Sequence, residues 1–132
     1  MSKKLLMIGG AIQLLFGFFH IWLGSEIQTS QEYPGDIRSL LQVFNIGACL
    51  VVFFFAYISF FCYNDLMTSR LGKAALILAA GYYIIRAIEE FIFFKTDNII
   101  SALVIFIPCF LVGSLYGYLF YISNSGKSVT PD

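Results

Sequence analysis

The chain has 132 residues, of which 59% are hydrophobic and 12% are charged, and its eight basic and eight acidic residues give a net charge of zero. A mean hydropathy of +0.83 exceeds what a soluble domain of this length can bury, so the composition predicts an integral membrane protein. The balanced charge and the lack of a basic tract argue against nucleic-acid binding.

Four apolar stretches predict an all-α fold, an antiparallel (up-down) four-helix bundle that forms one transmembrane domain over residues 1–132. Residues 5–25, 39–64 and 98–126 contain no Asp, Glu, Lys or Arg, and about 20 apolar residues are enough to cross a bilayer. We predict spans at 5–24, 40–63, 71–94 and 99–122, with a polar tail at 123–132. Helices are expected because irregular backbone in lipid would leave its amides unpaired, and no stretch alternates like a barrel strand.

The first span carries two polar side chains inside an apolar run. Gln13, Gly17, His20 and Gly24 fall at i, i+4, i+7 and i+11, which is one stripe on a helix. No cleavage site of the A-x-A type follows the run, so we predict a retained helix rather than a removable signal peptide. A loop over residues 25–36 should connect it to the second span.

The second span repeats the same spacing. Arg38, Gln42, Asn45 and Cys49 lie at i, i+4, i+7 and i+11, so they share one face. A turn over residues 64–69 is expected to lead into the third span.

The third span contains the strongest signal, because Arg86, Glu89 and Glu90 lie within it. One charge at the centre of a membrane helix costs about 2.5 to 3.5 kcal/mol on insertion scales. Three charged residues in one span are therefore expected to have a structural or functional role. Tyr82 and Arg86 share a face with either Glu89 or Glu90. We expect Glu90 to pair with Arg86 inside the bundle and Glu89 to reach a neighbour or the interface.

The fourth span, after a turn at 95–98, is predicted to form a mostly apolar wall. Gly113 and Gly117 form a GxxxG spacing that allows close helix approach. An interfacial aromatic belt is predicted near its inner end, at Tyr116, Tyr118 and Tyr121.

The basic residues predict the orientation. The N-terminus, the turn between the second and third spans, and the tail hold five of them, whereas the opposite side holds two: Lys3, Lys4, Arg70, Lys73 and Lys127 against Arg38 and Lys95. By the positive-inside rule both termini lie in the cytoplasm, and the protein is multi-pass in the cytoplasmic membrane of the cell.

This orientation predicts a polar layer in the outer leaflet. His20 lies about four residues, roughly 6 Å, below the outer surface, at a depth similar to that of Gln42 and Asn45. Glu90, Glu89 and Arg86 lie roughly 8 to 14 Å down. Three helices therefore bring polar residues to one depth.

Several site classes lack their motifs. The three cysteines form no C-x-x-C pair, and no G-x-S-x-G, H-E-x-x-H or phosphate-binding loop occurs, so no metal and no cofactor are predicted.

The leading hypothesis is a small membrane protein whose outer-leaflet pocket binds or transports a small amphiphile, lipid or proton. Gln42, Asn45 and Arg86 are its main candidate ligand-binding residues, with Gln13 and Tyr82 as further ones. The candidate partners are the lipid bilayer, a lipid or quinone-like ligand, and a second copy of the chain that docks through the fourth helix.

One alternative is an intramembrane enzyme in which His20 and Glu89 or Glu90 form a catalytic acid–base pair that acts on a lipid-like substrate. Another is a structural or assembly subunit whose polar layer only fixes helix packing. A cavity distinguishes these alternatives. A polar layer that only fixes packing is filled by its own side chains, whereas a binding or catalytic site needs open volume for its ligand.

Overall fold

The computed structural model describes residues 2–93 and 99–125, and all regular secondary structure within them is helical. The described residues form five helices: α1 (Ser2–Thr29), α2 (Gly35–Phe61), α3 (Tyr63–Thr68), α4 (Arg70–Phe93) and α5 (Ile99–Asn124). The turn predicted at 95–98 and most of the predicted tail, from residue 126 onward, lie outside the described residues.

Four of the described helices are long and apolar enough to cross a membrane, which confirms the predicted all-helical fold and its four candidate spans. The apolar segments cover Ser2–Thr29, Gly35–Phe61, Arg70–Glu90 and Leu103–Asn124. Many large apolar side chains, such as Leu15, Val43 and Leu71, are exposed at the protein surface. Such an extensive apolar surface is typical of contact with lipid and indicates a multi-pass membrane protein.

The first connection is shorter than the sequence predicts. The amide of Ser30 donates to the Glu26 carbonyl at 3.0 Å, so α1 continues past Gly24 to Thr29. Pro34 has no amide hydrogen and stands in an extended conformation at the N-cap of α2, with φ −52° and ψ 150°. Because proline is readily accommodated at a helix start, α2 begins five residues before the predicted span.

The predicted turn at 64–69 is itself a short helix, α3. Cys62 interrupts α2 with φ −112° and ψ 33°, and Ser69 is extended before α4 begins. The Ser69 hydroxyl accepts the amide of Gly72 at 2.8 Å, which caps α4. A β-carbon on Gly72 would collide with the backbone of Asp65, so only glycine allows α3 to lie this close to α4.

The helices pack as two pairs, α1 with α2 and α4 with α5, and the backbones of the two pairs approach most extensively where α1 packs on α5. Gly17 in α1 faces the ring of Phe53, where an added β-carbon would lie 2.6 Å away. Gly113 in α5 approaches Ile84 and the Ala80 carbonyl of α4 in the same way. The predicted close approach at Gly113 is therefore made within the chain.

Candidate functional site

A groove of about 210 Å³ opens between α1 and α2. Its lining combines polar side chains and a glycine with three apolar residues. The lining residues are His20, Gln42, Asn45 and Cys49, then Gly24, then Ile21, Ile46 and Leu50. Ile21, Ile46 and Leu50 are 56%, 57% and 67% exposed. Since these exposed residues are apolar, the groove opens on the apolar outer surface of α1 and α2 rather than into the protein core.

Asn45 and His20 bind each other by two hydrogen bonds. The Nδ2 of Asn45 donates to the backbone carbonyl of His20 at 2.8 Å, and its Oδ1 lies 2.8 Å from His20 Nδ1. A carbonyl can only accept, so it fixes which end of the carboxamide is the nitrogen. The carboxamide oxygen must then accept from Nδ1–H, which fixes the histidine tautomer.

Gln42 makes a similar contact one helical turn away. Its Nε2 donates to the Gly24 carbonyl at 2.6 Å and lies 3.4 Å from the Oε1 of Gln28. A β-carbon on Gly24 would lie 2.9 Å from Asn45 Nδ2 and 3.5 Å from Gln42 Oε1. Glycine at this position therefore lets the two carboxamides of α2 reach the backbone of α1.

The thiol of Cys49 lies further along the same face. Its Sγ is 3.8 Å from the Gly17 carbonyl, and the residue is half-buried. The two stripes predicted from helical spacing thus face each other, with His20, Gln42 and Asn45 brought together in one groove.

The charged cluster forms its described ion pairs within α4. Arg86 NH1 lies 3.2 Å from Glu90 Oε2 and 3.9 Å from Glu89 Oε2. Only 3% of the Glu90 side chain is exposed, against 43% for Glu89. The expected pairing of Arg86 with Glu90 is confirmed. Within the described part of the chain Glu90 Oε2 has no hydrogen bond, so its stabilisation there is that of a close ion pair with Arg86.

The structure does not join this cluster to the groove. In residues 2–93 and 99–125, no hydrogen bond or ion pair connects His20, Gln42 or Asn45 with Glu89 or Glu90. The imidazole of His20 bonds the Asn45 carboxamide instead of a carboxylate. The groove and the charged cluster are thus described as two separate polar regions.

Gln13 belongs to a third polar region at the centre of the bundle. Its Nε2 donates to the Tyr116 hydroxyl at 2.6 Å, and its Oε1 accepts from the Tyr83 hydroxyl at 3.3 Å. The Tyr116 and Ser59 hydroxyls are 2.6 Å apart, and Ser59 donates to the Phe55 carbonyl at 2.7 Å. We call Gln13, Ser59, Tyr83 and Tyr116 the central network; each comes from a different long helix.

The central network is filled by its own side chains, since its four residues are 0 to 2% exposed. The predicted aromatic belt is wrong for Tyr116, which is 1% exposed, whereas Tyr118 and Tyr121 are 47% and 67% exposed. Tyr82, half-buried, has its ring centroid 5.2 Å from that of Tyr83 and 6.1 Å from that of Phe55. It packs beside the network rather than in the groove.

The sequence pattern missed Ser59, Tyr83 and Tyr116 as partners of Gln13. Helical spacing contained part of the signal. Tyr118 and Tyr121 are three residues apart and share a face, while Tyr116 points about 200° away from Tyr118. An interior position for Tyr116 was therefore readable from the sequence.

The chain matches no protein-family model, and no curated protein or solved structure shows significant similarity to it. Among the described residues, no three His, Cys, Asp or Glu side chains gather as metal ligands would.

Proposed function

We propose that the groove between α1 and α2 binds the polar end of a membrane amphiphile, which enters sideways from the bilayer. The proposal rests on one observation: the groove combines open volume with polar side chains that line it. The groove measures about 210 Å³, below the roughly 300 to 1,000 Å³ of pockets that enclose a drug-sized ligand. It suits a small head group whose chain remains in lipid.

The contrast with the central network supports a binding role for the groove. In that network four side chains satisfy one another and leave almost no exposed surface, as a structural lock should. His20 and Gln42 in the groove are only partly buried. The polar residues that lie beside open space are the ones we assign to ligand binding.

We further propose an up-down antiparallel bundle in the cytoplasmic membrane, with both termini in the cytoplasm. Contacts along α1 and α2 run in opposite sequence order, which supports the antiparallel part. Positions 10, 17 and 24 of α1 lie against positions 59, 53 and 45 of α2. The basic residues near the N-terminus and in the first turn of α4 support the orientation, which places the groove in the outer leaflet.

The charged cluster fits a packing role better than ligand capture in this proposal. Glu90 is buried with its charge compensated by Arg86 on the same helix. A buried ion pair that loses one partner is strongly destabilised, so the pair is expected to hold α4 in place.

A matched pair of variants tests the binding proposal. Gly24→Leu fills the groove, and its β-carbon would lie 2.9 Å from the side-chain nitrogen of Asn45, not against backbone. Gly47→Leu adds the same side chain to α2 at a position with no atom within 4 Å of a β-carbon. The parent protein and Gly47→Leu should retain a lipid adduct in native mass spectrometry, whereas Gly24→Leu should lose it. Equal adducts in both variants, or none in the parent, would contradict the proposal.

A further inference from the structure

The hydrogen bonds of the groove leave two acceptors for a ligand, beside the second N–H of the buried Asn45 carboxamide. Gln42 directs its Nε2 to the Gly24 carbonyl, so its Oε1 remains as an acceptor. The Nδ1–H of His20 is held by Asn45 Oδ1, so Nε2 of the neutral ring carries a lone pair. Neither Gln42 Oε1 nor His20 Nε2 has a hydrogen-bond partner in the described residues.

Both acceptor atoms are reachable from outside the protein. Among the described residues, the buried side-chain polar atoms without a hydrogen bond are those of Arg38 and Glu90 only. His20 and Gln42 are partly buried residues that line the groove. Their unpartnered acceptors are therefore accessible atoms of residues that line the groove.

We propose that the ligand is an uncharged amphiphile whose head group donates a hydrogen bond, namely a hydroxyl on an apolar chain, with His20 Nε2 as its acceptor. This inference rests on the proposed binding function of the groove. Ile21, Ile46 and Leu50 provide the apolar surface along which the chain lies, and the hydroxyl bonds the polar residues between them.

The groove disfavours charged head groups of either sign. Among the described residues, no Lys or Arg lines it, so a carboxylate or phosphate would meet two acceptors without a compensating cation. The same part of the chain places no Asp or Glu along it, so an ammonium would lose its hydration without a counter-charge. An ether or ester lacks the hydrogen that the acceptors require.

Three probes with the same chain length separate these chemistries: hexadecanol, hexadecyl methyl ether and palmitate. The protein is reconstituted in nanodiscs of phosphatidylcholine, whose head group donates no hydrogen bond. The readout is the rate at which a membrane-permeant maleimide modifies Cys49, which lines the groove. Cys62, half-buried at the end of α2, is the internal control.

Hexadecanol should slow the modification of Cys49 at a concentration about fivefold lower than the ether, because one net hydrogen bond is worth about that factor. Palmitate should protect least, and Cys62 should not respond. Equal protection by alcohol and ether, or better protection by palmitate, would overturn the ligand class but leave groove binding intact. If no probe protects Cys49, the binding function itself fails.

His20→Asn tests the proposed acceptor. The asparagine amide can replace Nδ1–H as the donor to Asn45 but provides nothing at the position of Nε2. The variant should keep the affinity for the ether and lose the fivefold advantage of the alcohol. An unchanged advantage in a variant with parental thermal stability would show that Nε2 is not the acceptor.

Discussion

Tyr116→Phe should destabilise the protein by about 1 to 2 kcal/mol through the loss of one hydroxyl. The hydrogen bonds of the central network run in one direction, from Tyr83 to Gln13, from Gln13 to Tyr116, from Tyr116 to Ser59, and on to the Phe55 carbonyl. Because the Ser59 hydroxyl donates its hydrogen to the Phe55 carbonyl, the Tyr116 hydroxyl must donate to Ser59 and accept from Gln13.

The magnitude follows from what the substitution leaves behind. Gln13 is 0% exposed, so its Nε2 would lose its partner in a position that water does not reach. A buried donor without a partner costs about 1 to 3 kcal/mol. The value should fall in the lower part of this range, because chains unfolded within a membrane find other partners and measured interhelical hydrogen bonds there average about 0.6 kcal/mol.

The assay is the free energy of unfolding in mixed micelles during titration with a denaturing detergent. Tyr118→Phe is the matched control, because it removes the same hydroxyl from a side chain that is 47% exposed. Combining Tyr116→Phe with Gln13→Leu should cost less than the sum of the single changes by about 1 kcal/mol, as expected for coupled partners. A Tyr116→Phe variant no less stable than Tyr118→Phe would refute the reasoning.

The remaining predictions concern the charged cluster and two close backbone contacts. Arg86→Leu leaves Glu90 buried beside an apolar side chain and should cost about 3 kcal/mol of stability. The double variant with Glu90→Leu should recover most of that loss. Glu89→Gln, at a 43% exposed position, should hardly change the free energy of unfolding in the same detergent titration. Gly72→Ala should lower the unfolding temperature sharply, because its β-carbon meets the backbone of Asp65. Gly81→Ala is the control, since a β-carbon there has no atom within 4 Å. If both variants unfold at the same temperature, the α3–α4 contact is not as close as described. Gly17→Ala should cost about 1 kcal/mol because the Phe53 ring must move, while Gly47→Ala should be neutral or stabilising by about 0.5 to 1 kcal/mol in thermal unfolding.

The spans and the meeting of His20 with Gln42 and Asn45 could be predicted because two simple constraints act together. The lack of charge fixes which segments face lipid, and a short connection makes α1 and α2 neighbours. Helical spacing then selects the face, and residue count selects the depth. Together these constraints predict that His20, Gln42 and Asn45 lie side by side.

The separation of the groove from Arg86 and Glu90 could not be predicted in the same way. Counting residues from a membrane surface gives a height but not a position around the bundle axis. Residues of α1 and α4 at one height can lie on opposite sides of the bundle. The angular position depends on packing, here on contacts such as Gly113 against Ile84 and Gly72 against Asp65, which no periodicity in the sequence specifies.

The hydrogen bonds of the groove bear on binding as well as on packing. Carbonyls of α1 hold the carboxamides of Gln42 and Asn45, so these side chains are oriented before a ligand arrives. A ligand then orders little more than its own head group, which is the main cost that preorganisation removes. The same contacts fix the histidine tautomer, so a change at Asn45 should alter which head groups bind even where it does not touch them. Asn45→Leu would show this directly: it removes the acceptor that holds His20 Nδ1–H, so the advantage of hexadecanol over its methyl ether should fall.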